Sequence, residues 1–133
     1  MSAFGYRSKM LSTSVRYLSG AVEVTVDYPG YIASEVLSAE GEQYVHELLA
    51  CIPRAKDFAA ADLLDTYNQN WRRSEGSELT RAEFCEALQL SGLQILDEPG
   101  AACAIFADGD MFGGHSVIVD FAASEPSYVT LVG

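Results

Sequence analysis

The chain has 133 residues, with 8 basic and 19 acidic side chains for a net charge of −11, and 49% of it is hydrophobic. This is the composition of one globular domain, residues 1–133, with enough apolar surface for a single core, and it excludes a disordered chain. Nucleic acid and anionic membrane surfaces are disfavoured as partners, because both demand clustered Lys and Arg.

The N-terminal third predicts strand and turn. Residues 15–28 have the pattern of a β-hairpin, with Ser19-Gly20 as its tight turn. Val22, Val24 and Val26 alternate with Glu23, Thr25 and Asp27, so one face is buried and the other wet. Pro29-Gly30 ends the second strand.

Helical signals follow. Ser38 is a suitable N-cap for a helix over residues 39–50, with Tyr44, Val45, Leu48 and Leu49 as its apolar stripe. Pro53 breaks that helix and suits the first turn of the next. The second helix is expected over residues 54–73, stepping through Phe58, Ala61, Leu64, Tyr67, Asn68 and Trp71 on its packed side, with Arg72 and Arg73 favourably placed in its last turn. Trp71 is read as a packing residue and Asn68 as a local helix-capping group. Glu75-Gly76-Ser77 reads as a loop. Thr80 and Glu83 then form a capping box, with Leu79 and Phe84 at the positions of a hydrophobic staple. Phe84, Ala87 and Leu88 make the buried stripe of a third helix, and Gly92 is expected to end it.

Everything after Gly92 has strand and turn character. Strands are expected over residues 93–96, 102–107, 115–121 and 128–132, rich in β-branched and aromatic side chains, with Glu98-Pro99-Gly100 as a turn. Strands, then helices, then strands predict an α+β fold: an antiparallel sheet with an N-terminal hairpin and four C-terminal strands, packed against three helices.

Chemistry-bearing residues are few. Cys51, Cys85 and Cys103 are an odd number without a C-x-x-C pair, which argues against a disulfide framework or structural zinc and suits a reducing compartment. No apolar run has the length of a membrane span, and residues 10–18 are too polar for a signal-peptide core, so a cytoplasmic location is expected. The densest block is Asp108-Gly-Asp-Met-Phe-Gly-Gly-His-Ser116. Asp108-Gly109 is a strong turn dipeptide between two strands, and Gly113-Gly114 permits unusual φ. If His115 shares the core face with Val117, Val119 and Phe121, it needs a polar partner, for which Asp108, Asp110 or a loop carbonyl is available. The competing reading makes Asp108, Asp110 and His115 a metal site. The block lacks the further oxygen ligands of a calcium loop and the extra His or Cys of a transition-metal site, and no nucleophile motif accompanies it. The turn is therefore the preferred reading, with no catalytic residue, metal or cofactor assigned.

Charge is unevenly distributed. Residues 82–133 hold eight acids and no Lys or Arg, whereas residues 1–81 hold eleven acids and all eight bases. A one-sided negative surface suits electrostatic capture of a basic partner.

Two blocks, Tyr-Asn-x-x-Trp at residues 67–71 and Phe-x-Asp-Gly-Asp-x-Phe-x-Gly-His-Ser-x-x-Val at residues 106–119, joined by Leu-Thr-x-x-x-Phe at residues 79–84, resemble an uncharacterised bacterial domain family. Its members are small, acidic and finish near a Gly, where this chain has Gly133. The resemblance spans residues 15–133. It departs at Gly113, where a bulky aromatic is usual. Small acidic bacterial proteins of this kind are similar in style to immunity proteins that neutralise toxins, a functional analogy rather than a motif. The family resemblance speaks to fold; the acidic surface and that analogy lead to the expectation of a binding protein whose acids, Asp97, Glu98, Asp108, Asp110, Asp120 and Glu125, with Tyr128 or Tyr31 as an aromatic anchor, occlude the cleft of a cognate basic toxin such as a nuclease. The alternatives are a small metal-dependent hydrolase using Asp108, Asp110 and His115, and a small-ligand or regulatory module with a pocket lined by Trp71 and tyrosines.

Overall fold

The computed structural model describes residues 11–18, 20–72 and 77–133. The fold is α+β. Strands β1 (Leu11–Tyr17) and β2 (Gly20–Val26) form the expected hairpin in antiparallel register, Val15 opposite Val22. Ser19, half of its expected turn, lies outside the described residues. A small hairpin follows, β3 (Ile32–Ala33) with β4 (Val36–Leu37).

Helix α1 (Ala39–Ala50) starts at Ser38, whose Oγ accepts from the Gly41 N–H at 3.0 Å. Helix α2 (Ile52–Thr66) follows at once, with Pro53 in its first turn, where the missing N–H costs nothing. Its buried side is Ile52, Ala55, Ala59 and Ala60. The expected stripe is displaced: Phe58 and Ala61 are exposed, and Trp71 is 41% exposed. Alanines, not aromatics, face the sheet, and their small size lets the helix backbone lie close to it. The helix then widens into a π turn over Tyr67–Trp71, closed by the Arg72 N–H donating to the Tyr67 carbonyl at 2.9 Å. Arg73 and most of the Glu75-Gly76-Ser77 loop lie outside the described residues.

Helix α3 (Arg81–Ala87) carries the expected capping box: the Glu83 N–H donates to Thr80 Oγ1 at 3.2 Å and the Thr80 N–H to Glu83 Oε1 at 2.9 Å. It ends at Ala87, not Gly92, because Leu88 turns to extended backbone and begins the run into β5 (Gln89–Ile95). Gly92 sits inside β5, at an irregularity in its pairing with β6 (Ala102–Ala107). β7 (Ser116–Ala122) and β8 (Glu125–Val132) complete an antiparallel meander.

The six-stranded sheet runs β1-β2-β5-β6-β7-β8. One pair departs from the expected antiparallel pattern: β2 and β5 are parallel, Val24 beside Leu93. A parallel pair requires a long crossover, and all three helices lie within it. Val22, Val24, Val26, Leu93, Ile95, Ala104, Phe106, Val117 and Val119 join Leu48, Ile52, Ala55, Phe84 and Leu88 in one core. The alternate residues, among them Glu23, Gln94, Ile105, Ile118, Asp120, Tyr128 and Thr130, form the opposite face and are exposed or half-buried. Among the described residues no helix is long and apolar enough to cross a membrane.

Candidate functional site

The Asp108 block is a turn wound around its first carboxylate. Asp108 is 3% exposed. Its Oδ1 accepts from the Asp110 N–H at 2.8 Å, and its Oδ2 accepts from the N–H groups of Phe112, Gly114 and His115 at 2.9, 3.1 and 3.0 Å. Gathering four amides around one carboxylate needs tight reversals, and Gly109, Asp110, Gly113 and Gly114 all have positive φ. Gly109 is required on a second count: a Cβ there would stand 2.7 Å from the Ala87 carbonyl oxygen at the end of α3. At Gly113 a side chain would meet no neighbour within 4 Å, so it is the positive φ and not lack of space that favours glycine there.

Asp108, grouped from the sequence with the partner-binding acids, is buried in its own turn. Its charge is directed into the loop, not outward. The same geometry disfavours the grouping of Asp108, Asp110 and His115 as metal ligands, since both Asp108 oxygens are turned to amides. No cluster of three His, Cys, Asp or Glu able to hold a cation occurs among the described residues. His115 does not receive the polar partner expected for its ring. Its backbone N–H bonds Asp108, while its Nδ1 is buried without a partner among the described residues.

Two apolar residues inside the turn went unnoticed in the sequence. Met111 and Phe112 are buried, and Phe112 is an aromatic hub: Tyr67, Trp71 and Phe84 approach its ring edge-on, with centroids 5.6, 5.4 and 6.3 Å away. Trp71 also meets His115 edge-on at 5.6 Å. The π turn thus holds Tyr67 and Trp71 against the loop. Asn68 acts at long range and not as a local cap: its Nδ2 donates to the Leu79 carbonyl at 3.2 Å, and its Oδ1 accepts from the Leu79 N–H at 3.0 Å. That two-point bond ties the end of α2 to the entry of α3. Trp71 is therefore packed into an aromatic cluster while part of its ring stays exposed.

The remaining acids divide between the two ends of the sheet. Asp97 and Glu98 lie exposed on the β5–β6 turn, and Glu125 opens β8. The Ser124 N–H donates to the Gly100 carbonyl at 3.1 Å, so the β5–β6 and β7–β8 turns are joined and these three acids share one end. Glu125 also meets Arg54 of α2 at 2.8 Å. One step into the sheet, on the face away from the helices, Asp120 stands opposite Tyr128, which is 63% exposed. Asp110 lies at the other end, in the β6–β7 loop.

Two of the thiols, Cys85 and Cys103, are held protonated. Burial, reinforced by a hydrogen bond to the Asp120 carboxylate at 3.2 Å, pushes Cys103 up to about 11. Burial and the neighbouring Asp57 raise Cys85 as well. Both stay protonated at neutral pH, where a thiol does not attack.

No curated protein and no solved structure matches the chain. A model of a bacterial family does match, over residues 9–127, a span that contains the helices, the π turn and the whole Asp108 loop. The chain therefore belongs to the family described as uncharacterized proteins conserved in bacteria (DUF2262).

Proposed function

We propose that the protein is a cytoplasmic, immunity-type binding protein that neutralises a cognate toxin, a basic enzyme such as a nuclease, by covering its active cleft. The observation that carries this reading is the continuity of Asp97, Glu98 and Glu125 on the joined turns with Asp120 and Tyr128 on the helix-free sheet face. Exposed carboxylates at that end mimic the phosphates that such a cleft binds, and Tyr128 offers an aromatic anchor that buries large area at little entropic cost. Residues 82–133 contain no Lys or Arg, and Arg54, which reaches this end from α2, is paired to Glu125. The inward-turned Asp108 leaves the loop with structural work, which favours binding over catalysis.

The test is co-purification with the product of the adjacent gene, followed by stopped-flow association at increasing NaCl. A steep fall in association rate with salt is expected, with Asp97→Asn/Glu98→Gln slowing association and Asp110→Asn leaving it unchanged. A salt-insensitive rate, or equal effects at the two sheet ends, overturns the reading.

A further inference from the structure

We infer that the β8 edge and the flank of α2 beside it form a strand-addition site for an extended basic segment of a partner protein. This deepens the binding reading above and rests on it for the partner's charge.

Three observations converge. First, β8 is the last strand of the sheet, and among the described residues it pairs with β7 alone. Second, the stretch Tyr-Val-Thr-Leu-Val at residues 128–132 has no charge, Pro or Gly. Exposed edges are normally blunted by such residues, because an open row of N–H and C=O groups recruits another strand. The blunting features gather at the start instead: Glu125, Pro126 and the irregularity between Asp120 and Phe121 that leaves Ser127 out of register. Third, a recess of about 220 Å³ lies beside this edge, walled by Phe58, Ala61 and Asp62 of α2 and by Ser127, Tyr128 and Val129. Phe58 is exposed there, displaced from the core by the alanines that face the sheet.

An added strand places every second side chain on the helix side, next to that recess. A Lys or Arg at such a position lays its methylene stem along Phe58 and brings its cation to Asp62. Side chains of the other parity lie beside Tyr128 and Thr130. The charge complementarity is also the argument against a second copy of this chain as occupant: a copy's β8 has no basic residue for Asp62, and each chain carries a net charge of −11.

The probe is a capped synthetic peptide of alternating Thr and Val with one central Arg, added to the full isotope-labelled chain. Amide shifts and new exchange protection are expected over residues 127–132, with shifts at Phe58 and Asp62. A central Glu in the peptide, or Asp62→Lys in the protein, is expected to weaken binding about tenfold, the size of one exposed ion pair plus one cation–π contact. Asp62 is exposed, so the variant folds, as circular dichroism verifies. N-methylation of the peptide backbone abolishes binding. Absent binding, indifference to the central charge, shifts confined elsewhere, or dimerisation of the chain through residues 128–132 overturns the proposal. If the adjacent-gene complex forms while residues 127–132 keep their free exchange rates, strand addition fails and the immunity reading stands. If the peptide binds and no toxin complex forms, the reverse holds.

Discussion

At Asp108 a single oxygen, Oδ2, receives three backbone N–H groups, and an amide cannot reproduce that acceptor. Asp108→Asn keeps the volume but turns an NH₂ toward N–H donors. It is expected to cost about 3 kcal/mol in urea denaturation, as for other buried charged acceptors that lose their role. A cost below about 1 kcal/mol, the scale of an ordinary surface change, contradicts the account of the loop. Cys103 gives a second prediction. From the ordinary thiol value near 9 up to about 11, the folded chain retains a proton that the unfolded chain has lost. Stability is therefore fully present below pH 9 and declines as pH rises through that window. Cys103→Ala flattens the decline in pH-dependent urea titrations without abolishing it, because Cys85, Tyr31 and Tyr44 are raised by burial too. At this scale the sequence was half legible. Asp108-Gly109 announced a turn, but which of two nearby acids turns inward depends on where the amides of Phe112, Gly114 and His115 close, and that closure is tertiary. Phe112 was hidden for the same reason, as an apolar residue in a stretch whose glycines speak only of reversal.

Among the elements, those specified locally were readable. The alternating valines of β2 and the Thr80–Glu83 capping box carry their own geometry, and both are present as expected. The buried side of α2 was not readable from residue size: large aromatics suggest a core stripe, while close approach to a sheet selects alanine. Nor was the parallel β2–β5 pair, because hydrophobic alternation reports which face is buried and says nothing of strand direction. The π turn also escaped, since Asn68 owes its role to Leu79 across the loop. Asn68→Ala removes both bonds of that link and is expected to cost about 2 kcal/mol, at about 1 kcal/mol per hydrogen bond. It also raises amide exchange at residues 77–80 more than in α3 itself. Uniform exchange across the chain contradicts the clamp.

For the molecule as a whole, the overall class and the acidic C-terminal half were available from sequence order and charge, and the division of acids between the two sheet ends was not. The same global view gives the parallel seam a kinetic meaning. β5 to β8 are joined by short turns, whereas β2 reaches β5 only after residues 27–88 have been brought round. The entropy of closing that long loop must be met before Val24 gains its contact with Leu93. The C-terminal meander is thus expected to nucleate first, and the N-terminal hairpin to dock late. In chevron measurements Val119→Ala slows folding, while Val24→Ala mainly speeds unfolding. A chain built this way finishes its acidic half, and the surface that half presents, before the rest of its architecture has locked.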